Sequence, residues 1–176
     1  MDAASGHNKL ADIANLATIF VSVLLSMVLI KVFLLPQPVP TRGLPQPRVG
    51  MSLAQSLPGV DWTKNKQTLV LALSTQCHFC TESAPFFQRI HNEATKEVRM
   101  VAVLPQAVDE SRKYLLGEGV QVDDVKQATL SALGVSGTPT LLLVDNSGKV
   151  ADVWQGKLAP DQEGQVLAVL KKNASL

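Results

Sequence analysis

The chain has 176 residues, room for one ordinary globular core plus an appendage but not for two catalytic domains. Hydrophobic residues make up 46% and aromatic ones only 5%, which excludes a disordered or collagen-like chain and leaves Leu, Val and Ala to fill the interior. Sixteen Lys and Arg against fifteen Asp and Glu give a net charge of +1, so nothing in the charge favours a nucleic-acid partner.

Taken from the amino terminus, the chain opens with a short tail, residues 1–9. The run from Ile13 to Ile30 carries no charged residue, and the apolar character continues past Lys31 to Leu35. At 1.5 Å per residue, Ile13 to Leu35 would reach roughly 35 Å, enough to cross a hydrocarbon core of about 30 Å, so residues 10–35 are expected to form a transmembrane anchor. A buried core helix should show a polar face, and a cleaved signal peptide should end in a small-residue site; neither pattern is present. The basic residues, Lys9 before the run against Lys31, Arg42 and Arg48 at and beyond its end, would by themselves put the rest of the chain on the cytoplasmic side. Residues 36–48 (PQPVPTRGLPQPR) carry five prolines, which stop a helix and favour an extended, semi-rigid linker. No internal repeat is visible.

Residues 49–176 alternate strand and helix patterns. Thr68–Ser74 (TLVLALS) is an apolar run of strand length, as expected for a strand covered on both faces. Cys80, Ala84, Phe87, Ile90 and Ala94 then recur at helical spacing. Val98–Leu104 reads as a second strand, and Asp109–Leu116 and Asp124–Leu133 read as helices. Thr140–Val144 and Val150–Trp154 flank the turn Asp145-Asn146-Ser147-Gly148-Lys149 as a hairpin, and Pro160–Lys172 closes the chain as a helix. The order predicts an α/β fold, a central mixed sheet flanked by helices.

The chain has two cysteines, Cys77 and Cys80, too few for a disulfide scaffold. Both lie where the buried strand turns into the helix. Unpaired N–H groups and the positive end of the helix dipole favour a thiolate at Cys77, the nucleophile. Cys80, one turn on and on the apolar side, is placed to attack a mixed disulfide at Cys77 and resolve it. A zinc site would need a second ligand pair, and only His7, His78 and His91 are available; haem attachment would need His where Thr81 stands.

The combination of Cys77, Cys80, Pro85 and the segment Gly137-Thr138-Pro139-Thr140 resembles the thioredoxin-fold proteins. That resemblance implies a cis-proline at Pro139 beside the cysteines, with the backbone of Thr138 free to pair with an extended substrate segment. The amino-terminal anchor, the linker and the roughly sixty residues between Cys77 and Pro139 are similar to the membrane-tethered, TlpA-like branch of thiol-disulfide oxidoreductases. This implies an enzyme whose soluble domain faces the periplasm or cell exterior, against the charge count. Its partners would be protein thiol or disulfide substrates and a membrane or soluble redox partner. Its only redox group would be the Cys77–Cys80 disulfide, with no cofactor and no metal.

Two departures bear on mechanism. Leu71 stands where thioredoxins keep a buried aspartate, so no strand carboxylate takes the proton of Cys80. Glu82 lies one residue before the position at which many TlpA-like proteins place a Glu, and it reads as a solvated residue rather than a base. His78 is either a donor to the Cys77 thiolate or a surface residue on the substrate-facing loop, and Phe79 packs near the site or meets substrate. Trp62 and Trp154 read as structural. Two alternatives stay open. Ser74-Thr75-Gln76-Cys77 partly resembles the Thr/Ser-x-x-Cys of peroxiredoxins, although Val70 replaces the proline expected four residues before Ser74. The two thiolates would also suit copper(I) in an assembly module.

Overall fold

In a computed structural model of the chain the described residues are 13, 16–27, 47–93 and 98–174. Two units are separable, 1–42 and 43–176.

The first unit contributes one described helical run, α1, at 16–27. Thr18, Ser22 and Ser26 recur every fourth residue along it, and the Ser22 hydroxyl donates to the Thr18 carbonyl at 2.8 Å. Among the described residues no helix is long and apolar enough to cross a membrane. This overturns the expected single-pass membrane placement and, with it, the extracytoplasmic orientation drawn from it. The remainder of the expected anchor at 10–35, and the linker up to residue 46, lie outside the described residues.

The second unit is built on a five-stranded sheet of order β3-β2-β1-β4-β5, with β1 Gln67–Ala72, β2 Val98–Leu104, β3 Asp124–Gln127, β4 Thr140–Asp145 and β5 Val150–Gln155. β1, β2 and β3 run parallel, whereas β4 and β5 are antiparallel to their neighbours. The central strand β1 is flanked by β2 and β4, with Leu71 opposite Ala102 and Leu141. Alternation along β1 feeds two cores. Leu69, Leu71 and Leu73 face a cluster closed by the helices α2 His78–Glu82, α3 Ala84–Glu93 and α5 Pro160–Ala174. Val70 and Ala72 face a cluster closed by Leu53, Leu57, Trp62 and Leu133. Burial on both faces explains the uninterrupted apolar run of β1. The remaining helix, α4 Val108–Gly117, follows β2 and packs along β3.

Two elements differ from the sequence reading. The helical spacing after Cys77 is divided at Ser83, so that α2 and α3 are separate helices. Pro85 supplies the reason, because it has no N–H for the carbonyl of Thr81 and its ring crowds that carbonyl. The expected helix at Asp124–Leu133 is instead the short strand β3 followed by a 3-10 turn, Leu130–Leu133. Pairing with β2 outweighs a weak helical pattern there: β3 buries Val125 and satisfies its backbone along the β2 edge. The 3-10 turn stops at Gly134, whose φ of +67° is the left-handed conformation that glycine adopts freely.

The hairpin between β4 and β5 follows its residues closely. The Asp145 carboxylate accepts from the backbone N–H of Ser147 and Lys149 and from the Ser147 hydroxyl, at 2.8, 3.0 and 2.7 Å. Gly148 has φ +79°, and a Cβ there would stand 3.3 Å from the Trp62 ring, so the turn and the packing of Trp62 both require glycine.

Candidate active site

The backbone leaves the sheet at Leu73, whose N–H still bonds Val103, and loops through Ser74, Thr75 and Gln76. The Cys77 N–H closes this loop on the Ser74 carbonyl at 3.2 Å, and Cys77 becomes the N-cap of α2. Its sulfur accepts from the Cys80 backbone N–H at 3.2 Å, as a capping side chain does. The same sulfur donates to the carbonyl of Thr138 at 3.3 Å. Thr138 is sixty-one positions away in sequence; its peptide bond to Pro139 is cis, and Pro139 leads directly into β4.

The Pro139 turn is tied on both sides. The Thr140 hydroxyl, fully buried, donates to the Gly137 carbonyl at 2.7 Å, and the Gly156 N–H donates to the Pro139 carbonyl at 2.7 Å. The structure thus brings Cys77, Cys80, Thr138 and Pro139 together, while the Thr138 carbonyl is occupied by the Cys77 thiol in the free protein.

The two sulfurs differ in surroundings. Both are free thiols; Cys77 is half-buried and Cys80 is 1% exposed. Burial pushes the Cys80 thiol up to about 12 from an ordinary 9.0, and its hydrogen bond with Cys77 adds to the rise. Leu71, fully buried, belongs to the same cluster, so the strand beneath Cys80 is apolar. Among the described residues no group of three or more His, Cys, Asp or Glu is placed to hold a metal ion.

His78 is a surface residue: its Nε2 pairs with Glu82 at 3.2 Å and its side chain is 79% exposed. Phe79 is also exposed and its ring lies 5.9 Å from that of His78, leaving an aromatic surface beside Cys77. The Glu82 carboxylate is shared with Lys157 at 3.0 Å, and the hydrogen bond from Lys157 holds it below the usual carboxylate range.

Residues without a sequence signal complete the other flank. Gln106, just before α4, donates from Nε2 to the Ser74 hydroxyl at 3.3 Å and accepts the Thr75 N–H at 3.5 Å, clamping the loop ahead of Cys77. Glu110 accepts the Thr75 hydroxyl at 3.2 Å. Tyr114 and Glu118 both meet the hydroxyl of Thr81, at 3.2 and 3.3 Å. A glutamine, two glutamates and a tyrosine spaced four apart look in sequence like a solvated helix face.

The sequence profile of the thioredoxin-like domain matches residues 62–172. The chain belongs to the thioredoxin-like family. No curated protein matches it. Among solved structures, this thioredoxin-like chain is similar to a thiol-disulfide isomerase from Corynebacterium glutamicum, at 17% identity and a TM-score of 0.53 over 73% of this chain and 95% of that one. It is also similar to a putative thiol:disulfide interchange protein DsbE from Chlorobium tepidum, at 25% identity and a TM-score of 0.50 over 62% and 83%. The thioredoxin domain of a thiol-disulfide oxidoreductase from Bacteroides vulgatus aligns at 18% identity and a TM-score of 0.52 over 73% and 95%. The fold is therefore that of thiol-disulfide oxidoreductases, with Cys77 and Cys80 close together at the start of α2.

Proposed function

We propose that the protein exchanges disulfides with protein substrates, with Cys77 as nucleophile and Cys80 as resolving thiol. The observation that carries this reading is the placement of the Cys77 sulfur, 3.2 Å from the Cys80 N–H and 3.3 Å from the Thr138 carbonyl. In the first step the Cys77 thiolate attacks a substrate disulfide. A bond forms between Cys77 and one substrate sulfur, and the other leaves with the electron pair and takes a proton. Cys80, having lost its proton, then attacks the Cys77 sulfur and displaces the remaining substrate thiolate, which is protonated. The substrate disulfide is reduced to two thiols and the protein pair is oxidised to a disulfide. The same steps in reverse oxidise a substrate dithiol, and a second thiol–disulfide partner restores the starting state.

Thr138 and Pro139 form the substrate edge. When substrate is joined to Cys77, that sulfur loses its S–H and frees the Thr138 carbonyl for an incoming backbone N–H. His78 and Phe79 border this edge and supply a contact surface. The parallel edge strand β3, which lies between β2 and Pro139 in sequence, and the likeness to a DsbE protein favour the TlpA-like branch of the family. Replacing Cys80 by Ser should trap substrates as mixed disulfides through Cys77, visible as adducts on non-reducing gels that vanish with reductant. Absence of adducts in extracts where Cys77 is fully reduced would refute the assignment.

A further inference from the structure

Resolution requires a proton to leave Cys80, and no carboxylate lies beneath that residue because β1 presents Leu71 there. The charged and titratable groups around the pair fall into two sets. His78 and Glu82 on α2 and Lys157 before α5 satisfy one another. Glu110 and Tyr114 on α4 and Glu118 at its C-cap lie four residues apart, and their side chains hydrogen-bond Thr75 and Thr81, the hydroxyls that bracket the cysteines. Tyr114 packs its ring against the same cluster that buries Cys80, with its hydroxyl 3.2 Å from that of Thr81, the residue next to Cys80. Thr81 in turn donates to the Glu118 carboxylate.

The end of α4 is held firmly in this position. Gln88 on α3 donates to the Glu118 carbonyl at 2.7 Å. Gly119, at φ +67°, permits that approach, since a Cβ there would stand 2.9 Å from the Gln88 amide nitrogen.

We propose that Tyr114 and Glu118 are positioning residues that act through the Thr81 hydroxyl to govern loss of the Cys80 proton, and so the rate of the resolving step. This rests on the exchange reading above. A neutral phenol and a carboxylate joined by a hydroxyl form a polar chain beside the turn of α2 that carries Cys80, in place of an acid on the central strand. Burial also raises the Tyr114 phenol above its ordinary value, so at neutral pH it stays protonated and serves as a hydrogen-bonding link while Glu118 is the acceptor.

The test uses the reduced full-length protein and a symmetrical chromogenic aryl disulfide. Attack by Cys77 releases one coloured thiolate and leaves an aryl mixed disulfide. Attack by Cys80 then forms the Cys77–Cys80 bond and releases the second thiolate, so the protein loses two electrons and the reagent gains them. Tyr114→Phe and Glu118→Gln should each slow the second release about tenfold, less than the roughly hundredfold or more of a direct proton-transfer group because they act through Thr81, and leave the first unchanged. The pH profile of the second release should move to higher pH in both. Thr81→Val combined with Glu118→Gln should be no slower than Thr81→Val alone, as coupling through one hydroxyl requires.

A second phase unchanged in rate and pH profile in both single variants would overturn the proposal. So would equal slowing of both phases, which marks a distorted site rather than a lost proton path; Tyr114→Phe keeps the packed ring and limits that risk. Failure of the exchange reading looks different: Cys80→Ser would then still release two equivalents, or the unmodified protein only one.

Discussion

The two flanks of the helix mouth are built in opposite ways. On the Pro139 flank the protein reaches Cys77 with backbone: the Thr138 carbonyl touches the sulfur, and the turn behind it is pinned by Thr140 and Gly156. On the α4 flank it reaches the same segment with side chains, Gln106, Glu110, Tyr114 and Glu118, set four residues apart. A backbone flank can receive any extended polypeptide, because every residue carries the same amide. A side-chain flank can tune protons and hold a loop. In the proposed mechanism substrate docking and proton handling fall on different sides of one sulfur pair.

The largest effect that separates chemistry from scaffolding is Cys77→Ser. It should lower disulfide exchange, followed by reduction of a protein disulfide, by more than about a thousandfold, since a hydroxyl is protonated at neutral pH and is a poor nucleophile toward sulfur. Thermal stability should hardly change, because the serine oxygen can still cap Cys80. An active Cys77→Ser variant would remove both flanks from the reaction at once.

Next in size is a pH effect on folding. Burial raises the Cys80 thiol from 9.0 to about 12, so between these values the unfolded chain has released a proton that the folded protein keeps. Stability linked to this group is therefore fully present below about pH 9 and is lost as pH rises toward 12. Urea midpoints measured from pH 8 to 11 should fall more steeply for the unmodified protein than for Cys80→Ala. Tyr114, also raised by burial, adds a loss of the same sign, so the comparison is cleanest when both proteins retain it.

The difference between the flanks also explains what was legible from residues alone. Gly137-Thr138-Pro139-Thr140 was legible through its resemblance to the thioredoxin-fold segment, because a backbone device needs particular residues: a proline in the turn, followed by an apolar strand. The C-x-x-C was visible for the same reason, since thiols are rare and their spacing is chemical. β1, β2, the hairpin and α5 followed from periodicity because burial enforces it on each. The α4 flank was invisible. Its residues are ordinary on a solvated helix, and only the folded chain brings them to the hydroxyls of Thr75 and Thr81. β3 was misread for a related reason: four residues with a single buried Val125 carry too little pattern to outweigh helical spacing, and the pairing that decides their fate lies on β2. At the other end of the chain, hydropathy suggested a membrane crossing, but among the described residues no helix is long and apolar enough to make one.

The pins behind each flank should differ in strength in a measurable way. Thr140→Val leaves the Gly137 carbonyl without its buried donor, and it should lower folding stability by about 1–3 kcal/mol, the cost of an unsatisfied buried polar group. Exchange should also weaken, because Gly137 leads directly into the Thr138 carbonyl. A urea titration beside the exchange rate would show both losses together; retention of full activity in a destabilised variant would mean that Thr138 is held by Gly156 alone.

Gln106→Ala is the smaller and sharper case. Its two hydrogen bonds, at 3.3 and 3.5 Å, are long, and the site is only partly buried, so water can replace them and the loss of stability should be no more than about 1 kcal/mol. The effect on the reaction should exceed that figure's reach, because Gln106 holds Ser74 and Thr75, and the Ser74 carbonyl in turn receives the Cys77 N–H. Freed of the clamp, Cys77 should attack an aryl disulfide at nearly its usual rate, since a small reagent needs no docking, yet react several-fold more slowly with a protein disulfide that must align with Thr138 at the same moment. Equal slowing toward both reagents would show that Gln106 acts on the sulfur itself. No slowing toward either would show that the loop keeps its shape through the Cys77–Ser74 bond alone, and would reduce the α4 flank to the Thr81 contacts.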